Sequence, residues 1–206
     1  MFTGIVTAIG SVARVEQRGD LRLTITGPLD PATIDIGASI ACSGVCLTVV
    51  DRGGSKGEAH FTVDVSAETT SRTAARMWEE GAHLNLEPSL RLGDELGGHI
   101  VTGHVDAVGT IAKSEAEGDS TRLTIAAPAE LAPFIAAKGS ITVNGVSLTV
   151  NSVEDQPDGE VLFGLNIIPH TAQVTTLGQL GEGDELNLEV DTIARYLHRM
   201  QALRAS

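Results

Sequence analysis

The sequence predicts an all-β protein: two tandem homologous six-stranded Greek-key barrels with a C-terminal α-helix. Three observations carry this. The 206-residue chain repeats itself in register. Within each copy the segments are short, rich in Val, Ile and Thr, and bounded by Gly, Pro, Asp and Ser, the pattern of strands and turns. A tail of different character follows the second copy.

The repeat can be followed from end to end. Phe2-Thr3-Gly4-Ile5-Val6 is restated at Val101-Thr102-Gly103-His104-Val105, and Arg22-Leu23-Thr24-Ile25 returns as Arg122-Leu123-Thr124-Ile125. Ser43 to Val49 answers to Asn144 to Val150, Phe61 to Phe163, and Gly81 to Glu87 to Gly183 to Glu189. The offset drifts only from 99 to 102, so the loops barely differ in length. Residues 1–96 are read as the first barrel, 97–191 as the second, and 192–206 as a helix serving oligomerisation. In order, the strand segments are Ile5 to Val15, Leu21 to Thr26, Ser39 to Asp51, His60 to Val65 and His83 to Glu87, with counterparts in the second half. Helical turns fit Thr69 to Glu79 and Ala129 to Ala136. About six strands in such a length call for closure, because a closed barrel leaves no exposed edge.

The tail, Thr192 to Ala205, contains no Gly or Pro, and Ile193, Tyr196, Met200 and Leu203 fall at a/d spacing with Arg195, Arg199 and Arg204 outside the stripe. Two heptads are too short to be stable alone. The stripe is expected to pack on a barrel or on copies of itself in an oligomer.

Composition excludes several classes. Net charge is −13, with 27 acidic against 14 scattered basic residues. Nucleic-acid binding needs a basic face, which is missing. No apolar run approaches a membrane span, and no basic-then-apolar leader opens the chain, so the expected compartment is the cytoplasm. Cys42 and Cys46 lie in one strand segment, where four residues span about 13 Å at roughly 3.3 Å each. A disulfide tolerates about 7 Å between Cα atoms. Both are read as free thiols unless the strand folds back.

In Val45 to Val49, alternate side chains face opposite ways. If Val45, Leu47 and Val49 face the core, Cys46 and Thr48 point outward, as Ser147 and Thr149 do in the second half. These are two halves of a polar groove or ordinary solvent-facing residues. At the junction, Gly97-Gly98-His99-Ile100-Val101-Thr102-Gly103-His104 holds two histidines among glycines. As a metal pair they lack further ligands, so no metal is expected. A glycine-flanked histidine can approach a ligand closely and exchange a proton near neutral pH. His60, His83 and His198 receive a structural reading. Ile168-Pro169-His170-Thr171, the counterpart of Ser66-Ala67-Glu68-Thr69, is a loop that reads a flat polar ring or a turn that begins a helix. No phosphate loop, dinucleotide fingerprint or nucleophile elbow occurs. Aromatic content of 3% argues against a pocket of stacked rings. Phe2 is an aromatic at a terminus that would usually fray.

Met1-Phe2-Thr3-Gly4-Ile5-Val6, Gly44 to Val49, Val65 to Thr69, Gly97-Gly98-His99, Thr102 to Asp106, Gly145 to Val150 and Ile168 to Thr171 together resemble the riboflavin synthase alpha chain over the whole length. The resemblance implies a transferase of riboflavin biosynthesis that dismutates two molecules of 6,7-dimethyl-8-ribityllumazine. One gives a four-carbon unit to the other, yielding riboflavin and 5-amino-6-ribitylaminouracil, with no cofactor. It also implies a homotrimer in which the first barrel of one subunit faces the second barrel of its neighbour; association with lumazine synthase is left open. By motif, Gly4, Ile5, Val6, Cys46, Leu47, Thr48, Asp64, Val65, Ser66, Ala67, Glu68 and Thr69 would line one lumazine site. Gly103, His104, Val105, Lys138, Ser147, Leu148, Thr149, Asn166, Ile167, Ile168, Pro169, His170 and Thr171 would line the other. Phe2, Cys46, His104, Ser147, Thr149 and Asp191 are the candidates near the reacting carbons. The reaction needs loss of a proton from the 7-methyl group and a nucleophile at C7 of the second ring; His104, Ser147 and a bound water all qualify. The alternatives are a non-catalytic lumazine- or flavin-binding relative of the same fold and a purely structural two-barrel adaptor.

Overall fold

The computed structural model describes residues 1–205; Ser206, the last residue of the expected helix, lies outside the described residues. In the first repeat, β1 (Ala8–Arg18), β2 (Asp20–Gly27), β3 (Ser39–Cys42), β4 (Val45–Ser55), β5 (Glu58–Val65) and β6 (His83–Pro88) close a barrel in the order β1-β2-β5-β4-β3-β6. In the second, β7 (Ala107–Glu117), β8 (Ser120–Ala127), β9 (Ser140–Val143), β10 (Val146–Thr149), β11 (Ser152–Asp155), β12 (Val161–Ile167) and β13 (Glu185–Val190) are ordered β10-β9-β13-β7-β8-β12-β11. Here β10 and β11 stand for β4, interrupted at Val150 and Asn151. The helical turns expected over Thr69 to Glu79 are α1 (Ala67–Ser71), which starts two residues earlier, and a 3-10 turn, Ala75–Trp78; α2 (Pro169–Val174) and Thr176–Gln179 answer them.

The alternation read in the sequence fills two separate cores. Phe61 and Phe163, equivalent in the repeat, are both fully buried, each among the aliphatic side chains of its own barrel. Truncating either to Ala would cost about 3–5 kcal/mol.

The segment from Ser39 to Asp51 is not one strand. It turns at Ser43-Gly44, whose φ values of 44° and 83° make a two-residue hairpin, and Asn144-Gly145 does the same at 47° and 80°. The strand therefore folds back. Cys42 pairs with Val45, and Cys46 with Ala41. Adjacent pairs point to opposite faces, so Cys42 enters the core while Cys46 faces outward, and both thiols are free.

The two turns meet at the pseudo-twofold axis of the repeat. A Cβ on Gly44 would lie 2.9 Å from the Gly145 nitrogen, and one on Gly145 would lie 2.7 Å from that of Gly44. Two buried asparagines fix the halves around this contact. Asn85 Nδ2 donates to the Asn144 carbonyl and its Oδ1 accepts from Thr176 N, both at 2.8 Å. Asn187 Nδ2 donates to the Ser43 carbonyl at 2.9 Å and its Oδ1 accepts from Ala74 N at 2.8 Å. Each repeat thus satisfies backbone groups of the other that would otherwise be buried and unpaired.

The tail forms α3 (Thr192–Ala205), as expected. Asp191 caps it, its Oδ1 accepting from Ile193 N at 2.8 Å. The helix docks on the second barrel through Arg195, bidentate on Asp106, and His198, edge-on to Phe134 at 4.7 Å. Of the predicted stripe, Ile193, Tyr196 and Met200 are 62%, 65% and 49% exposed. Among the described residues no helix is long and apolar enough to cross a membrane.

Candidate active site

Two short straps, Phe2 to Val6 and Val101 to Val105, precede the first strands of the two repeats. Each is anchored by a buried glutamate of its own repeat. Glu87 accepts from Thr3 N and Oγ1, both at 2.7 Å, and from Gly4 N at 3.0 Å. Glu189 accepts from Thr102 N and Oγ1 at 2.7 and 2.6 Å and from Gly103 N at 2.9 Å. Burial pushes the Glu87 carboxyl above its ordinary range against the pull of its donors.

The outer edges of the straps cross over. Ser147 N donates to the Gly4 carbonyl and Cys46 N to the Gly103 carbonyl, both at 2.8 Å, and Phe2 bridges Val101. Val6 packs against the second core and Val105 against the first. Gly4 and Gly103, with φ of 76° and 77°, allow this approach: a Cβ on either would stand 2.6 Å from the Cβ of Ser147 or Cys46. This corrects the grouping expected from the sequence. Gly4, Ile5 and Val6 belong with Ser147, whereas Gly103, His104 and Val105 belong with Cys46. The repeat relates the straps to each other but does not say which barrel each one crosses to.

At the first barrel, a cavity of about 410 Å³ is lined by Val45, Cys46, Glu68, Thr69, Arg72, Thr73, Gly103, His104, Val105 and Asp106. His104 is exposed within it, its backbone held by Glu189 at 3.2 Å. Ser66 begins α1, its Oγ accepting from Thr69 N at 3.2 Å, so the loop also starts a helix; α2 begins after Ile168 without a side-chain cap, with Pro169 at its first position. A wider groove of about 800 Å³ between the 3-10 turns of the two repeats is lined by the turn and asparagine residues that join the halves and by none of the candidate site residues.

At the second barrel, Ser147 meets an imidazole. His99 Nδ1 lies 2.7 Å from Ser147 Oγ, and its Nε2 lies 3.1 Å from Thr142 Oγ1. The Thr3 carbonyl accepts from His99 N at 3.1 Å, so the N-terminal strap positions the histidine as well. Burial pulls the His99 pKa below its ordinary value, opposed by the charges of Asp191 and Glu189, so the ring is neutral at neutral pH. A neutral imidazole in contact with a hydroxyl can take up its proton.

The other expected residues divide by position. Thr48 and Thr149 are exposed on the same strand faces as Cys46 and Ser147. Leu47, Val65 and Ile167 are buried and face the cores, and Leu148 is half-buried against the second one, so their side chains serve packing. Phe2 is fully buried with Ala41 and Val101 beneath Cys46. Asp191 is occupied as the α3 cap and reaches His99 only through its field. Asp64 is held by Arg22, whose Nε and Nη2 donate at 2.7 Å and keep its carboxyl below the usual range. Ala67, Ile168, Pro169 and His170 are exposed, and Asn166 and Thr171 are half-buried. Lys138 is exposed in a left-handed conformation, φ 67°, where the first repeat has Gly37.

The lumazine binding domain matches this chain twice, over residues 3–89 and 102–191. The riboflavin synthase of Brucella abortus (strain 2308) is 48% identical over 97% of this chain and 98% of its own length. The chain belongs to the riboflavin synthase family. A second member, from Mycobacterium tuberculosis (strain ATCC 25618 / H37Rv), is 45% identical with the same coverage. Among solved structures, LumP complexed with 6,7-dimethyl-8-(1'-D-ribityl) lumazine is similar at a TM-score of 0.77 and 26% identity, covering 92% of this chain and 99% of that one.

Within this family member, the site features not anticipated from the sequence are the contacts of His99 with Ser147 and Thr142, the two glutamate anchors, and Arg72 and Thr73 in the Cys46 cavity. A signal for the anchors existed: Asn85-Leu86-Glu87 recurs as Asn187-Leu188-Glu189, with polar residues where a strand should be wholly core. No local pattern marks Thr142, which is read in a strand of Ile and Val.

Proposed function

We propose that the chain catalyses the riboflavin synthase dismutation, transferring four carbons between two molecules of 6,7-dimethyl-8-ribityllumazine to give riboflavin and 5-amino-6-ribitylaminouracil. The duplicated lumazine binding domain supports one substrate in each half-site. The observation that carries the catalytic reading is the Ser147 hydroxyl held 2.7 Å from a half-buried, neutral imidazole. Ser147 and His99 form the acid–base pair: the hydroxyl proton passes to Nδ1 as the serine oxygen engages the ring, and it returns when the product leaves. Cys46, His104, Thr69 and Arg72 bind and orient the second lumazine. Lys138, Thr149, Asn166 and the Ile168 to Thr171 loop surround the first. Holding two like rings face to face replaces a bimolecular encounter by an oriented one, worth up to about 7–11 kcal/mol of the barrier.

The Cys46 cavity is lined by no residue from the Ser147 side, so two lumazines on one chain do not share a cavity. This supports the homotrimer, in which a neighbour's second barrel completes the first. The exposed stripe of α3 supports the same assembly. Two free cysteines fit the cytoplasm as the compartment.

The test is to mix the purified protein with 6,7-dimethyl-8-ribityllumazine alone and follow riboflavin by absorbance and fluorescence. Half a mole of riboflavin per mole of lumazine consumed is expected. Bound lumazine with no riboflavin would assign the chain instead to chromophore binding. Light scattering of the same sample should give three times the chain mass.

A further inference from the structure

The His99 ring touches two hydroxyls, and only one of them belongs to the proposed acid–base pair. Thr142, on β9, is 1% exposed, and its Oγ1 lies 3.1 Å from His99 Nε2. A neutral imidazole carries a single N–H, so the ring has two tautomers with opposite consequences. Protonated on Nε2, it donates to Thr142 and leaves the Nδ1 lone pair facing Ser147 Oγ–H, ready to receive that proton. Protonated on Nδ1, it donates to Ser147 and keeps its only lone pair on Nε2, facing Thr142, where it cannot receive the serine proton. Hydrogen bonds donated by hydroxyls are short, about 2.7–2.8 Å to oxygen, whereas those donated by N–H centre near about 2.9–3.0 Å. The 2.7 Å contact at Nδ1 suits a serine donor, and the 3.1 Å contact at Nε2 suits an imidazole donor.

The repeat supplies an internal control. The residue equivalent to Thr142 is Ala41, which pairs with Cys46 as Thr142 pairs with Ser147. Beside Ala41 lies the Phe2 ring, which needs no hydrogen-bond partner. The buried hydroxyl is present in the half that holds the imidazole and absent from the half that holds the phenyl.

We infer that Thr142 is a positioning residue that fixes His99 in the Nε2-protonated tautomer, so that Nδ1 is the proton acceptor for Ser147. The inference rests on the reading of Ser147 and His99 as the acid–base pair only for its effect on rate; the tautomer is a separate observable.

The experiment is ¹⁵N NMR of the imidazole nitrogens in the labelled full-length protein near neutral pH, with steady-state kinetics on the same samples. In the unsubstituted protein, His99 Nε2 should give the protonated and Nδ1 the unprotonated signature. Thr142→Val should mix the tautomers and lower kcat by about tenfold or more at little changed KM, and Thr142→Ser should restore both. Should the valine variant fail to fold, Thr142→Ala places there the residue the first barrel already carries. A ring protonated on Nδ1 in the unsubstituted protein, or a valine variant with the original tautomer, would overturn the inference. A tautomer that shifts while kcat holds would support the role of Thr142 and remove Ser147 and His99 from the chemistry.

Discussion

Around Cys46 and around Ser147 the same frame carries different rings. Each residue follows the turn of a β-hairpin, each donates its N–H to a strap glycine from the opposite repeat, and each strap hangs from a buried glutamate. Beneath Cys46 the neighbours are Phe2 and Ala41; beside Ser147 they are His99 and Thr142. The first half sets a thiol over hydrocarbon, and the second sets a hydroxyl beside a base. On the proposed function, the duplication gives two seats for one substrate, and the side chains behind the seats decide which one does chemistry.

The most direct way to break this comparison is to exchange the loss of the two equivalent residues. Ser147→Ala should lower kcat by about 10²–10³-fold, while Cys46→Ala should lower it less than about tenfold, as judged by riboflavin formation at saturating lumazine. Equal losses would mean that both seats are chemical. Substitution at the symmetric staple should show the opposite pattern. Asn85→Ala and Asn187→Ala each strand two buried backbone groups, so each should lose about 2–4 kcal/mol in denaturant unfolding, with neither half favoured.

The pH dependence sharpens the contrast further. Burial depresses the His99 pKa, so the folded state binds fewer protons there than the unfolded state. The neutral ring contributes stability above its unfolded value of 6.5, and that contribution is lost as pH falls from there through the folded value. The kcat profile should stay level through 6.5 and drop only at more acid pH, and His99→Gln should remove that limb along with most of the rate. The smallest effect concerns Lys138. Its φ of 67° is strained for a residue with a Cβ, and its counterpart Gly37 sits at 87° without that strain. Lys138→Gly should hold stability or gain up to about 1 kcal/mol in thermal unfolding while raising KM.

Much of the fold was legible in the sequence because a repeat is checked against itself. Strand segments, the C-terminal helix and the outward facing of Cys46 and Ser147 follow from periodicity, and periodicity is local. The hairpin inside Ser39 to Asp51 was missed although Asn144-Gly145, flanked by apolar runs, is a strong short-range signal for a two-residue turn. The strap crossing lay beyond reach for a different reason. Gly4 and Gly103 announce a close approach, but the surface approached is set by tertiary packing. For the same cause His99 was marked by its glycines and still could not be matched to Ser147, 48 residues away. By motif Phe2 and Asp191 stand beside the reacting carbons; that one is buried in a hydrocarbon cluster and the other caps a helix is visible only in the packed chain.

The contact between Gly44 and Gly145 sets a rule for how such a gene can change. On the axis, backbone lies against backbone and neither position has space for a side chain, so a substitution in one copy collides with the other. Away from it, Cys46 and Ser147 and their neighbours Ala41 and Thr142 differ between the two copies. A duplicated ancestor with two interchangeable seats could acquire distinct duties by mutating its periphery one copy at a time, provided its pivot stayed still.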